Sequence, residues 1–219
     1  MTTLTTAVAV ARYLLSDAVR SQRVIIPVVL QVAVLAVLFG GDPGPLPAPW
    51  AASALALYPV ATWLALTVAN TEDPVQRSVT VAAAGGPGPV AIGTLLVALL
   101  GDVLLSVLSV AWPLVATPYS APPGTVLAGV LTHLAAAITG TGVGLLCARP
   151  VIRRIGWSLL TALIVVIVTA VQPWLPPVGS AVAAITDGRG PGSLLVPVLA
   201  ACAVAGAGTW VSALVSRRG

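Results

Sequence analysis

The chain has 219 residues, of which 58% are hydrophobic and 7% are charged, and its mean hydropathy is +1.05. A soluble domain carries about 25% charged residues because its surface faces water, so this composition excludes a soluble enzyme and indicates an integral membrane protein. All ten basic residues are arginine. A chain without lysine cannot form the lysine-containing phosphate loop of many ATPases, so ATP hydrolysis through such a loop is not expected here.

An amphipathic helix is predicted before the first long apolar run. Arg12 and Arg20 fall on one side of a helix over residues 1–23, and Leu14 and Ala18 fall on the other. Such a helix is expected to lie in the membrane interface. The sequence leaves open whether it is only an anchor or an elbow helix that packs beside a partner subunit.

Six apolar runs are predicted to be membrane spans. A helix needs about 20 apolar residues to cross the hydrocarbon layer, and none of these runs alternates like a β-barrel strand. The predicted spans are residues 24–39, 50–68, 91–115, 125–147, 156–174 and 194–215. The predicted fold is therefore an all-α integral membrane protein with one transmembrane domain over residues 1–219.

The positions of the arginines predict the orientation. If the N-terminus is cytoplasmic, only Arg189 falls outside and the other arginines fall inside, which predicts both termini in the cytoplasm. Trp50, Trp112 and Trp174 are then expected near the outer interface, which indole rings favour. The net charge of +4 reflects topology in this interpretation. No nucleic-acid partner is expected, because no patch of basic and aromatic residues lies outside the spans.

The loop after the second span, residues 71–90, carries the most specific pattern in the chain. Asp73 followed by Pro74 is a favoured helix start, and the Gly-Gly-Pro run that ends at Pro87 is the matching stop. A short cytoplasmic helix with small apolar residues along its length is therefore predicted. Its apolar face is expected to dock on another surface.

The six spans, the amphipathic first helix and this acid-led loop helix together resemble the permease subunits of second-type ABC exporters, particularly the compact actinobacterial kind. The resemblance implies a permease in the bacterial plasma membrane that pairs with a second copy or a related permease. It also implies a separate ATP-binding cassette subunit that holds ATP and magnesium, so this chain would carry no cofactor. A hydrophobic or amphiphilic substrate is the mild preference.

The resemblance also assigns roles to particular residues. The helix at 74–84 would be the coupling helix, and Glu72, Asp73 and Arg77 would contact the ATPase subunit. The loop at 174–192 would lie outside and could fold into short re-entrant helices. Backbone at that depth would need to be shielded by protein.

Two ionisable residues fall inside predicted spans. A charge at mid-membrane costs about 2.5–3.5 kcal/mol, so Asp102 is expected to face a cavity or a partner, either lining the translocation path or locking helices together. His133 lies on a stripe of small residues with Gly140 and Gly144, whose spacing permits close helix packing. A bond between Asp102 and His133 is left open. No metal site is expected, because no second histidine or cysteine pair lies near His133.

An ATP-independent secondary transporter or channel is the alternative function, with Asp102 and His133 carrying coupling protons. Such transporters often contain internal repeats, and none is evident between residues 1–115 and 116–219. An intramembrane enzyme is not expected, because the chain lacks the His-Glu-x-x-His pattern and any paired catalytic base.

Overall fold

The computed structural model describes residues 3–217, and every regular element in this range is helical. Nine α-helices lie there in chain order: α1 (Thr3–Arg20), α2 (Ile25–Leu38), α3 (Ala48–Ala69), α4 (Pro74–Ala83), α5 (Pro87–Ala116), α6 (Pro123–Cys147), α7 (Ile155–Ala170), α8 (Val178–Thr186) and α9 (Leu195–Ser216). A short 3-10 turn, Pro191–Leu194, leads directly into α9.

Four helices in this part of the chain are long and apolar enough to cross a membrane: α3, α5, α6 and α9 with its leading turn. The helices α1 and α2 meet at a bend of 71° and qualify as a fifth span only when they are taken together. The helix α7 is apolar but has 16 residues, which is about 24 Å of helix. The protein is thus a multi-pass membrane protein with four or five candidate spans.

The two predicted spans that fall short do so at breaker residues. The helix α2 ends at Leu38, just before a Gly-Gly-Asp-Pro sequence. The helix α7 ends at Ala170, because Pro173 cannot donate a helical hydrogen bond and its ring clashes with the preceding turn. The predicted run 156–174 counted apolar residues beyond Ala170, which hydropathy alone does not separate from helix, whereas the run 24–39 matches α2 to within one residue at each end.

The centre of the bundle is the pair α3 and α6, whose side chains are mostly buried. A Cβ atom at Gly140 would lie 2.6 Å from the carbonyl oxygen of Tyr58, and one at Gly144 would lie 2.7 Å from that of Thr62. Side chains cannot tolerate such distances, so these two glycines allow the backbones of α6 and α3 to approach closely.

The opposite face of α6 packs on α9 in the same way. A Cβ atom at Gly142 would lie 2.7 Å from the backbone nitrogen of Ala205, and one at Gly208 would lie 2.7 Å from the carbonyl oxygen of Gly142. The helix α6 is therefore packed closely on both sides, and it is the most enclosed span of the four.

The loops gather at two ends of the bundle. At one end, called the α4 end, the helix α4 meets the connection after α6 and the last residues of α9. At the other, called the α8 end, the start of α3 packs against α8 through Trp50 and Ile185. Arg189, in the loop that follows α8, pairs with Asp187 at 2.7 Å.

Trp50 lies at the start of α3, at the α8 end of the bundle, and its indole ring is fully buried against other helices. Gly129 of α6 makes the room, because a Cβ atom there would lie 2.8 Å from the Trp50 ring. Trp174, by contrast, is 72% exposed.

The first helix packs on the chain's own bundle. Residues spaced by three or four along α1 are buried: Ala7, Val10, Leu14 and Ala18. They lie against α5, where Gly93 leaves space for Val10. The same helix leaves Val19 and other apolar residues exposed, so only part of its predicted apolar face is available to lipid.

Candidate functional site

The loop after α3 contains the helix α4, whose two ends have the local chemistry expected from the sequence. The Oδ1 atom of Asp73 accepts hydrogen bonds from the backbone N–H groups of Val75 at 2.8 Å and Gln76 at 2.9 Å. These bonds satisfy donors that the first turn of a helix leaves unpaired. After the helix, Gly85 and Gly86 take φ values of +72° and +142°, which glycine adopts without strain.

The two faces of α4 differ in burial. Its outer face, formed by Val75, Val79 and Ala82, is exposed, with Val75 at 74% and Val79 at 64%. Its inner face includes Arg77 and Thr80, which are half-buried. The helix has no fully buried residue, yet it presents valines one turn apart, and such exposed apolar surface is typical of an interaction site.

Contacts on the inner side hold α4 against the rest of the molecule. Glu72 is only 3% exposed, and its Oε1 atom accepts a hydrogen bond from the Thr80 hydroxyl. The side-chain amide of Gln76 donates to the hydroxyl of Tyr13 on α1. Of the three residues predicted to contact an ATPase subunit, Asp73 is exposed, whereas Glu72 and Arg77 face inward.

A charged groove of about 520 Å³ lies at the α4 end, beneath the inner face of α4. Four charged residues line it, and we call it the arginine groove: Arg77, Arg149, Arg153 and Glu72. Burial lowers the pKa of Arg77, and the nearby Glu72 charge acts in the opposite direction. Within residues 3–217, the only ion pair closer than 4 Å is that between Arg189 and Asp187, at the opposite end.

A second region of interest lies inside the bundle, around Asp102 of α5. Asp102 is fully buried, and its Oδ2 atom accepts a hydrogen bond of 2.7 Å from the Thr141 hydroxyl of α6. Its Oδ1 atom has no hydrogen-bond partner among the described residues. An acid in this position joins two spans while keeping one oxygen available, which suits either of the roles that the sequence left open.

Two serines extend this region along the same face of α5, and the sequence analysis did not single them out. Asp102, Ser106 and Ser109 form the α5 polar stripe, and all three are buried. The side-chain amide of Gln31 on α2 donates to Ser109 Oγ at 2.9 Å. The Ser106 hydroxyl and the Gln31 carbonyl oxygen have no partner in the described structure. The helical spacing of the stripe was the signal that could have identified it.

His133 of α6 makes two hydrogen bonds within the bundle. Its Nδ1 atom lies 2.7 Å from the carbonyl oxygen of Gly129, and its Nε2 atom lies 2.9 Å from the Ser53 hydroxyl of α3. Because a carbonyl oxygen only accepts, Nδ1 carries a proton, and Nε2 shares a hydrogen bond with the Ser53 hydroxyl. His133 thus links α6 to α3.

The bond between Asp102 and His133 that the sequence left open is not formed. Asp102 contacts Thr141, which lies about two turns, or about 12 Å, further along α6 than His133. Both ring nitrogens of His133 have other partners. In the part of the chain that the structure describes, no three His, Cys, Asp or Glu side chains are grouped so that they could hold a metal ion.

No protein-family model matches the chain, and no curated protein or solved structure is significantly similar to it. Any function must therefore be inferred from the chain's own residues. Two arrangements are candidate functional sites. One is the exposed apolar face of α4 at the α4 end, and the other is the buried Asp102 with its polar neighbours inside the bundle.

Proposed function

We propose that this protein is the membrane-spanning permease subunit of an ATP-driven exporter, and that a separate ATP-binding cassette subunit supplies ATP hydrolysis. The observation that carries the proposal is α4, a capped helix that is held to the bundle on one side and exposes apolar side chains on the other. The absence of lysine supports a separate ATPase chain, because this chain has no lysine-containing phosphate loop. A hydrophobic or amphiphilic substrate remains our preference.

The proposed topology has six spans, with α1 and α2 together forming the first and α7 forming the fifth. The α4 end then lies in the cytoplasm of a bacterium and the α8 end lies outside the plasma membrane. The arginines support this orientation, since Arg77, Arg149 and Arg153 gather at the α4 end and Arg189 lies at the other. The 16 residues of α7 are short for a span, and local bilayer thinning can accommodate such a helix.

In this proposal the outer face of α4 docks on the ATPase subunit, and Asp73 lies at the edge of the contact. Glu72 acts from the inner side through its hydrogen bond with Thr80, and Arg77 lines the groove beneath α4. Movement of α4 would reach three helices directly, because it follows α3, leads into α5 and is hydrogen-bonded to α1 through Tyr13. The permease would work as a dimer with a second copy or a related permease.

The test of this proposal is co-purification of the permease with ATPase activity. The tagged wild type, purified from its native membranes in mild detergent, should retain a nucleotide-binding chain that hydrolyses ATP. The double variant Val75→Ser/Val79→Ser should lose most of that activity from the purified material. Val19→Ser, which changes a 61% exposed valine on α1, is the matched control and should retain it. ATP hydrolysis that co-purifies equally with the double variant would contradict docking on this face.

The second candidate is an ATP-independent, proton-coupled transporter or channel, and the buried carboxyl of Asp102 favours it. Acidic residues inside membrane bundles often mark proton or ion pathways, and the unpaired Oδ1 atom of Asp102 lies on a stripe with Ser106. The geometry supports Asp102 in this role more than His133, whose ring nitrogens are both used to join α6 to α3.

A proteoliposome assay separates the two candidates. If Asp102 couples protons, a pH gradient without ATP should drive proton flux through the wild type, and Asp102→Asn should abolish it. Thr141→Val removes the hydrogen bond to Asp102 but keeps its carboxyl, so it should reduce the flux rather than abolish it. Wild-type vesicles that show no flux without an ATPase subunit would exclude this candidate.

A further inference from the structure

The arginine groove is built by segments that are distant in sequence. Its walls come from the end of α3, from α4, from the connection after α6 and from the end of α9. The connection is held in place by hydrogen bonds, since the Arg149 backbone N–H donates to the Asn70 side chain and Arg149 Nε donates to the carbonyl oxygen of Arg153, both at 3.3 Å. The groove is therefore a defined concavity and not a loose cluster of surface charges.

The charges that line the groove are only partly neutralised within it. Three arginines face one carboxylate, Glu72, and none of the three has a carboxylate oxygen within 4 Å in the range 3–217. Glu72 is itself engaged through Oε1 with Thr80. Arg77 is half-buried, and withdrawing its guanidinium group from water without a close ion-pair partner costs free energy, so an anion in the groove would offset that cost.

The chemistry of the walls indicates which anion fits. The guanidinium group presents a planar set of donors that matches phosphate oxygens, often through two parallel bonds. Apolar side chains line the same groove beside the arginines, among them Val81, Val215 and Ala69. A phosphate that is attached to an apolar body would satisfy both kinds of wall.

We propose that the arginine groove binds the phosphate of an anionic lipid headgroup. The groove lies where three long helices end, which is the depth at which headgroups lie if these helices cross the bilayer, and basic pockets between such helices are known to hold anionic lipids. A general excess of arginine on one side of the membrane would explain why positive charge lies at this end of the bundle. It would not explain why three arginines line the same concavity. This inference depends on the membrane location and not on an ATPase partner.

The test uses the purified protein alone in detergent. The midpoint of thermal unfolding is followed while dioleoyl phosphatidylglycerol or dioleoyl phosphatidylcholine is added in mixed micelles, and sodium phosphate is added in a separate series. The double variant Arg149→Gln/Arg153→Gln removes two charges from the groove. The control Arg12→Gln/Arg20→Gln removes two exposed charges from α1, outside the groove.

Phosphatidylglycerol should stabilise the wild type and the control, and phosphatidylcholine should not. The groove variant should bind phosphatidylglycerol about thirtyfold more weakly, because each of the two basic residues removed contributes about 1 kcal/mol near a lipid surface. Equal weakening in both double variants, or equal stabilisation by the two lipids, would overturn the proposal. Stabilisation by sodium phosphate alone would show that the groove binds free phosphate and would overturn its assignment to lipid.

A second measurement guards against a groove variant that fails to fold. Native mass spectrometry of the wild type, prepared with an equal mixture of the two lipids, should show one phosphatidylglycerol retained in preference to phosphatidylcholine. A wild-type protein that retains neither lipid, or retains both equally, would contradict the proposal without any variant.

Discussion

The distance between α6 and α3 is determined at single residues, and Gly140 is the clearest example. The carbonyl oxygen of Tyr58 lies where a side chain at position 140 would begin. Close backbone approach of this kind lets two spans gain van der Waals contact in a setting where lipid is as apolar as the side chains. The spacing of Gly140 and Gly144 is visible in the sequence, but their partners on α3 are not.

Substitution of Gly140 should destabilise the bundle. Gly140→Ala places a Cβ atom 2.6 Å from the Tyr58 carbonyl oxygen, so the helices must separate, at a cost of about 1–3 kcal/mol. Gly206→Ala is the matched control, because no atom lies within 4 Å of a Cβ there and alanine favours helix. Thermal unfolding in detergent should show a lower midpoint for Gly140→Ala and an unchanged or higher one for Gly206→Ala.

At the α8 end, Asp42 joins two loops across a long stretch of sequence. Its Oδ1 atom accepts hydrogen bonds from the Gly44 backbone N–H at 3.0 Å and from the Tyr119 hydroxyl at 2.8 Å. The Gly44 bond, followed by the Tyr119 bond, lowers the pKa of Asp42. The hydrogen bond between the Tyr119 hydroxyl and Asp42 also raises the pKa of Tyr119.

The contact between these loops should therefore depend on pH. Because the folded-state pKa of Asp42 is depressed, its stabilising effect is present above the ordinary value of 3.8 and is lost as the pH falls through the lower folded value. Hydrogen exchange at the Gly44 amide, measured from about pH 2 to about pH 7, should differ between the wild type and Asp42→Asn only at the higher pH values. A difference that persists unchanged below the Asp42 pKa would contradict this account.

Among the elements, α4 is the one whose bounds the sequence predicted most closely. The prediction was residues 74–84, and the helix runs Pro74–Ala83. Its signals are local: a capping side chain, a proline in the first turn and glycines at the end. Such signals act within a few residues and do not need tertiary contacts. For α7, hydropathy predicted a longer helix than the one present, because it does not register that Pro173 ends the helix.

Removal of the cap should weaken α4 specifically. Asp73→Ala leaves the first-turn N–H groups without their side-chain acceptor, which should cost about 1 kcal/mol of local stability. Hydrogen exchange across residues 74–83 should become faster, whereas exchange in α6 should not change. Asp73→Ser retains a capping oxygen and should restore slow exchange. If the alanine and serine variants exchange alike, the cap does not determine the stability of α4.

For the whole molecule, burial divides the apolar helices into an enclosed centre and a more exposed outer layer. The enclosed helices α3 and α6 form the centre, and the more exposed α9 lies outside them. Apolar side chains also cover the outside of α7, including Trp157 and Leu163. Apolar surface on all sides of a helical bundle is what a lipid environment requires.

Cysteine labelling should show whether α7 crosses the membrane. In a background of Cys147→Ala/Cys202→Ala, single cysteines at Ser78 and Gly156 should react with a membrane-impermeant thiol reagent from one side only. Single cysteines at Gly41 and Gly190 should react from the other side. A membrane-permeant reagent should label all four and serves as the control. Labelling of Gly156→Cys and Gly190→Cys from the same side would show that α7 does not cross the membrane.

The sequence by itself determined the features that depend on composition and on near neighbours. Scarce charge and long apolar runs define a helical membrane protein, because every backbone polar group in lipid must be satisfied within a helix or a closed barrel. The start and end of α4 followed from capping residues. The arginine positions predict an orientation that labelling can check.

Only the tertiary structure decided which side chains meet. Asp102 bonds to Thr141 and not to His133, Trp50 is buried over Gly129, and Glu72 turns beneath α4. These contacts depend on how α3, α5 and α6 pack, and that packing is set by glycines on one helix and backbone atoms on another. Apolar spans resemble one another, so a single sequence does not specify which helix faces come together. In the folded bundle, the size of the side chain at each close approach determines how near two helices can lie.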